Sequence, residues 1–141
     1  MGYHGTMQEN DEIFIFPCLR HHRVLLRKEN YKNHESYHPE IAGKQGLGEI
    51  EQTLVDQSII TKHTIRDRRG RIVKRTQAFY RILGQRNTIR GESVIDYWKV
   101  VLVKSRGPIR WEIATAFINS RPRYAMFDKN IEEVIYQKNE N

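Results

Sequence analysis

The run Val100-Val101-Leu102-Val103 constrains this chain more than any other feature. Successive side chains of a strand point to opposite faces, so a run apolar at every position needs cover on both sides. It predicts a central strand. The segments around it are strand-like too: Ile59-Ile60, Ile72-Val73, Ala78 to Leu83, Tyr97 to Val103 and Ile109 to Ile118. Asp67-Arg68-Arg69-Gly70 reads as a hairpin turn, with Gly70 able to take positive φ, and Ser105-Arg106-Gly107-Pro108 as another. Together these predict an antiparallel meander of about four strands.

Upstream the period changes. Ile13-Phe14-Ile15-Phe16, closed by Pro17, and Val24-Leu25-Leu26 read as two short strands. From Lys28 the composition turns helical: Tyr31, His34 and Glu35 fall at i, i+3 and i+4, and Pro39 places the stop at about His38. Leu47, Ile50, Leu54 and Val55 repeat at i, i+3, i+7 and i+8, an amphipathic helix ending near Gln57. The glycine-rich stretch Gly43-Lys44-Gln45-Gly46-Leu47-Gly48 reads as the loop between the two helices. Ile131 to Tyr136 is a final short element of open type. The expected architecture is α+β: two N-terminal helices packed on a roughly four-stranded antiparallel sheet. Residues 13–136 form one domain in this reading, between a loose polar segment at 1–12 and a loose tail at 137–141.

The 141 residues suit one domain with a modest core, and 38% hydrophobic content is too high for a disordered chain. No apolar run approaches the roughly 18 residues of a membrane helix, and no signal-peptide pattern opens the chain. A single cysteine, Cys18, excludes an internal disulfide and any multi-cysteine zinc site. The net charge of +7 points to a polyanionic partner. A membrane surface is not expected, because no basic amphipathic helix is present.

The charge is concentrated. Lys62, Arg66, Arg68, Arg69, Arg71, Lys74 and Arg75 surround one hairpin and are opposed only by Asp67. A second set follows, including Arg81, Lys99, Lys104 and Arg110. Cations on several strands of one sheet can make a continuous phosphate-binding surface, although hairpin tips also collect charge as solvated ends. Tyr80, Tyr97, Trp98, Trp111 and Phe117 are interleaved with them. Such aromatics either fill the core or stack on unpaired bases.

His34 and His38, at i and i+4, can share a helix face, but no third ligand sits at a metal spacing and His-Glu-x-x-His is absent. No metal is expected. Neutral imidazoles beside arginines should have lowered pKa values, which suits proton abstraction from a ribose 2′-hydroxyl; a packing or capping role is the competing assignment for each. No GxxxxGK[ST] or GxGxxG loop and no GxSxG elbow is present, so no nucleotide cofactor is expected.

Taken in order, these pieces resemble a known group. Val24 to Ile41 is similar to the strand and "HI-x-x-R-HPE" helix that opens phage and mobile-element domains of the barnase–EndoU–colicin–RelE-like ribonuclease superfamily. Leu47 to Leu54 matches its second helix, and Asp56-Gln57-Ser58-Ile59 stands where the family often has "x-P-x-x-I". Tyr97 to Val103 resembles its central strand, and Trp111 to Phe117 its "v-I-T-A-y" strand. The chain departs at Tyr37, where the family commonly has Arg, and at Glu35, where Ile is usual.

The resemblance implies a small metal-independent RNA endonuclease of toxin type with two helices on a four-stranded sheet. Its site would hold His34, His38, Thr115 and a strand cation, Arg81 or Lys99. It implies 2′-hydroxyl attack, a 2′,3′-cyclic phosphate product, RNA (tRNA included) as substrate, and an acidic antitoxin or immunity protein as partner. The site of action would be the cytoplasm, for a resident or a delivered toxin. A non-catalytic RNA- or partner-binding module on the same fold is the alternative.

Overall fold

The computed structural model describes residues 7–127 and 131–138. Eight strands form one sheet: β1 (Gln8–Glu9), β2 (Ile13–Cys18), β3 (His22–Arg27), β4 (Ile59–Arg66), β5 (Ile72–Asn87), β6 (Ser93–Lys104), β7 (Trp111–Arg121) and β8 (Glu133–Gln137). Between β3 and β4 the chain forms α1 (Lys28–Glu35), a 3-10 turn (Pro39–Ile41) and α2 (Gly43–Val55).

The class is α+β, with two helices as expected, but the four-stranded antiparallel sheet needs correcting. The strand order is β1-β2-β3-β7-β6-β5-β4-β8, and the β3–β7 pairing is parallel. The expected meander is its inner half, β4 to β7. The extra strands come from both ends of the chain: the N-terminal strands join beyond β7, and β8 joins beyond β4. These pairings are non-local, so no turn signal between neighbouring strands announces them. Residues 1–6 and 139–141 of the expected loose ends lie outside the described residues. Within the rest of those ends, Gln8–Glu9 pair with β2 and Gln137 belongs to β8.

β6 lies inside the sheet, between β5 and β7, as its apolar run demands. Val100 and Leu102 are fully buried under α2, among Leu47, Ile50, Leu54, Phe79 and Phe16. The opposite face holds a second cluster of Ile59, Ala78, Tyr80, Ile95, Tyr97 and Met126, with Val101 packed against it. The hairpin turn is where it was expected: Gly70 takes φ 79°, and Asp67 Oδ1 accepts from the backbone N–H groups of Arg69 and Arg71.

The glycine-rich stretch is a correction as well. It is the first half of α2 rather than a loop. A Cβ on Gly46 would lie 2.0 Å from the carbonyl carbon of Ile41, so only glycine lets the helix start against the 3-10 turn. Tyr31 braces the same corner, donating from its hydroxyl to the Ile41 carbonyl at 2.8 Å and packing edge-on against Phe14. Gly46→Ala should therefore destabilise the protein by about 1–3 kcal/mol through overpacking. Gly48→Ala, with open space around the new methyl, should stabilise it by about 0.5–1 kcal/mol. Paired thermal or urea melts check this; equal shifts of the same sign would contradict it.

Candidate functional site

The site is placed by an interrupted sheet edge. β3 registers with β7 at Leu25↔Glu112. Beyond it, the outer edge of β7 meets α1 and the 3-10 turn instead of a strand. Asn30 Nδ2 donates to the carbonyls of Ile113 (3.0 Å) and Ala114 (3.2 Å), and Glu40 Oε2 accepts the N–H of Ile118 at 3.0 Å. Two side chains thus do what a neighbouring strand would do.

His34 lies one helical turn after Asn30, so anchoring Asn30 turns His34 toward β7 as well. Its Nδ1 is 3.5 Å from Thr115 Oγ1, the outer limit of a hydrogen bond. His38 lies near-parallel to His34, with centroids 6.3 Å apart, and stacks on Phe117 at 5.3 Å. Its Nδ1 is 3.7 Å from Glu40 Oε2, the carboxylate oxygen that also holds β7. The charged side chain paired with His38 is this carboxylate, where a guanidinium was expected. All three polar side chains, His34, His38 and Thr115, are half-buried.

Register assigns the two candidate cations to opposite faces. Tyr80, Lys99 and Phe117 are directly opposed across β5, β6 and β7 and share one face. Thr115 is two residues from Phe117 on the same face. Lys99 therefore shares a sheet face with Thr115 and Phe117, the two β7 residues that the histidines meet. Its ammonium lies 5.1 Å from the Tyr80 ring centroid, on the β5 side of β6. Arg81 is opposed to Trp98 on the face that α2 covers. There its guanidinium pairs with the Glu49 carboxylate and donates to Thr53 Oγ1 (3.2 Å) and the Glu49 carbonyl (3.3 Å). The structure does not bring Arg81 to the histidines.

Burial pushes the Lys99 ammonium below the usual lysine range, with the charge of Glu132 partly opposing that shift. Glu132 Oε1 accepts from the Tyr80 hydroxyl (2.6 Å) and from Thr61 Oγ1 (2.8 Å). Burial, followed by this carboxylate, pushes the Tyr80 phenol well above its ordinary value. Tyr80 is thus a neutral donor that helps hold a carboxylate beneath Lys99. Asn30, Glu40 and Glu132 are the contributors that sequence reasoning passed over. The spacing of Asn30, four residues before His34, was the available signal for the first.

The basic hairpin lies apart from this cluster. Thr61 lies level with Thr115 across the sheet, and Arg66 is five residues further along β4, about 17 Å at about 3.3 Å per residue. Within the hairpin, Lys62 pairs with Glu133 (3.3 Å), Arg71 with Asp67 (3.0 Å), and Arg66 donates to the Gly70 carbonyl. Arg68 and Arg69 are exposed at the tip. Lys74, Arg75 and Lys104 line a shallow groove with Val73 and Val103. Arg110 sits in the β6–β7 loop beside Trp111. Among the described residues, no three His, Cys, Asp or Glu side chains cluster as metal ligands, and no helix is long and apolar enough to cross a membrane.

The Lys99 shift has a measurable consequence. Its folded pKa is below the unfolded value, so the penalty for burying the cation is fully present at neutral pH. It fades as pH rises toward the usual lysine value of 10.5. Lys99→Met should therefore raise the melting temperature at pH 7, with the gain shrinking as the pH climbs into that window. A variant less stable than wild type at pH 7 would contradict it. The geometry stands by itself in one further respect: no family model, no curated protein sequence and no solved structure matches this chain.

Proposed function

We propose that the protein is a metal-independent RNA endonuclease of the toxin type, related to the barnase–EndoU–colicin–RelE-like group. The observation that carries the reading is the approach of His34 to Thr115 and the stacking of His38 on Phe117, on the sheet face that also carries Lys99, in a basic protein. His34 takes the proton of a ribose 2′-hydroxyl. The 2′-oxygen attacks the adjacent phosphorus, and the bond to the 5′-oxygen breaks. His38, beside the Glu40 carboxylate, is placed to carry the proton that the departing 5′-oxygen takes up. The products are a 2′,3′-cyclic phosphate and a 5′-hydroxyl end. Lys99 stabilises the charge on the phosphorane, and Thr115 donates to a non-bridging oxygen. Imidazole and ammonium supply both the proton transfers and the charge, so the scheme needs no metal.

Phe117, half-buried with His38 on its face, offers a ring beside the scissile position. The cations of the hairpin from Lys62 to Arg75 would hold phosphates further along the strand, with RNA, tRNA included, as the substrate class. An acidic antitoxin or immunity protein is the matching partner, and the cytoplasm, where RNA is found, the site of action. A binding-only module is favoured by one observation, the commitment of Arg81 to Glu49, which leaves Lys99 as the strand cation on the histidine face. It predicts salt-dependent RNA binding without cleavage.

The test is RNA incubated with the folded protein in EDTA. Cleavage is expected, His34→Ala should lower its rate by about 100-fold or more, and Thr115→Val should lower it less. Arg81→Ala should cost about 1–3 kcal/mol of stability and leave the rate within about twofold. Intact RNA contradicts the activity. Unchanged cleavage by His34→Ala removes His34 from it.

A further inference from the structure

A second cluster of cations and rings lies on the opposite face of β7, under the β2–β3 turn. Trp111 is opposed to Lys104 on the face that α2 covers further along; the irregularity between Val101 and Leu102 puts Thr115, four residues on, on the other face. The turn inserts His21 here. Its ring stacks on Trp111 with centroids 4.8 Å apart and planes 22° apart, and its Nε2 donates to Gln77 Oε1 at 2.5 Å. Burial lowers the His21 pKa, the Gln77 hydrogen bond partly opposes this and the charge of Arg20 adds to the lowering, which favours the neutral ring.

The next residue, His22, has φ 67°, the one positive φ among the described non-glycine residues. A left-handed backbone of this kind costs of order 1–3 kcal/mol and is retained where the surroundings require it. Trp111 is half-buried and lines a surface pocket with Arg23 and Arg110. Lys104, its cross-strand partner, shares the neighbouring groove with Arg75. Among the described residues, the side chains of Arg23, Arg75, Lys104 and Arg110 have no ion-pair or hydrogen-bond partner. Four uncommitted cations around a stacked aromatic pair match a ligand that presents phosphates and flat rings together.

We propose that this pocket is a stacking subsite for single-stranded nucleic acid, in which a base packs beside the Trp111–His21 pair and the flanking phosphates lie on Arg23, Lys104 and Arg110. An acidic protein would use the cations but not the rings. The subsite rests on nucleic acid being the partner, as the reading above has it, but not on cleavage. It lies about 13 Å along β7 from Thr115, at about 3.3 Å per residue.

The experiment is titration of the full chain with an oligodeoxythymidylate of about eight nucleotides, read by tryptophan fluorescence. DNA lacks the 2′-hydroxyl, so binding is seen without cleavage. Trp98 is 2% exposed in the core, so a stacking signal reports Trp111. Saturable quenching is expected, with a log–log salt slope of about −2 for three phosphate contacts. Trp111→Leu, read by the anisotropy of a fluorescein-labelled oligonucleotide because the variant lacks the reporting ring, should weaken binding by about 5- to 150-fold. Arg110→Glu, in an exposed loop outside the core, should weaken it by about tenfold or more and flatten the salt slope, so the proposal does not depend on how well the tryptophan variant folds.

Binding without quenching overturns the subsite. So does equal quenching by polyglutamate of the same charge, which would mark an acidic-protein surface. RNA cleavage without quenching overturns the subsite and leaves the ribonuclease reading standing. Quenching without RNA cleavage does the reverse.

Discussion

The edge of β7 beyond Glu112 is the constraint on which the site depends. An exposed strand edge presents unpaired backbone groups that must find partners, and here Asn30 and Glu40 supply them in place of a ninth strand segment. The consequence reaches beyond satisfied hydrogen bonds. Anchoring Asn30 aims His34 at Thr115, and anchoring Glu40 holds a carboxylate beside His38. The close approach of Gly46 to Ile41 sets where α2 begins relative to the 3-10 turn, and so fixes the segment that carries both histidines. Backbone satisfaction and the geometry of the candidate site use the same side chains.

The second organising fact is that a doubly apolar central strand makes a sheet with two working faces. One is filled by α2 and takes Arg81 into a structural ion pair with Glu49. The other is only partly filled, by Tyr80, Tyr97 and Met126, and leaves Lys99, Phe117 and Thr115 within reach of solvent. Strand register, a matter of odd and even positions, decides which cation can meet the histidines. A one-residue slip would exchange their roles.

Much of this was legible in the sequence, for identifiable reasons. The amphipathic spacing of Leu47, Ile50 and Leu54, the Asp67 to Gly70 turn and the Val100 to Val103 run are local signals, and the structure follows them. The parallel pairing of β3 with β7 and the return of β8 to β4 are encounters across most of the chain, for which no local pattern exists. The glycines at 46 and 48 read as breakers because propensity ignores the neighbour that makes Gly46 necessary. Of the candidate site, the meeting of His34 with Thr115 was legible from motif order. Which of Arg81 and Lys99 shares their sheet face was not, because it requires register. Glu132 was not either, because it reaches the site from the far edge of the sheet, where it receives the Tyr80 and Thr61 hydroxyls.

The central claim is that this arrangement uses the ribose 2′-oxygen as its nucleophile. The most direct measurement is end-group analysis of cleaved RNA in EDTA, by mass spectrometry, on substrates with and without a single 2′-deoxy residue at the cleaved position. The account predicts 2′,3′-cyclic phosphate and 5′-hydroxyl termini, and no cut at the deoxy position. Termini bearing 3′-hydroxyl and 5′-phosphate, or a cut that survives the deoxy substitution, would contradict it.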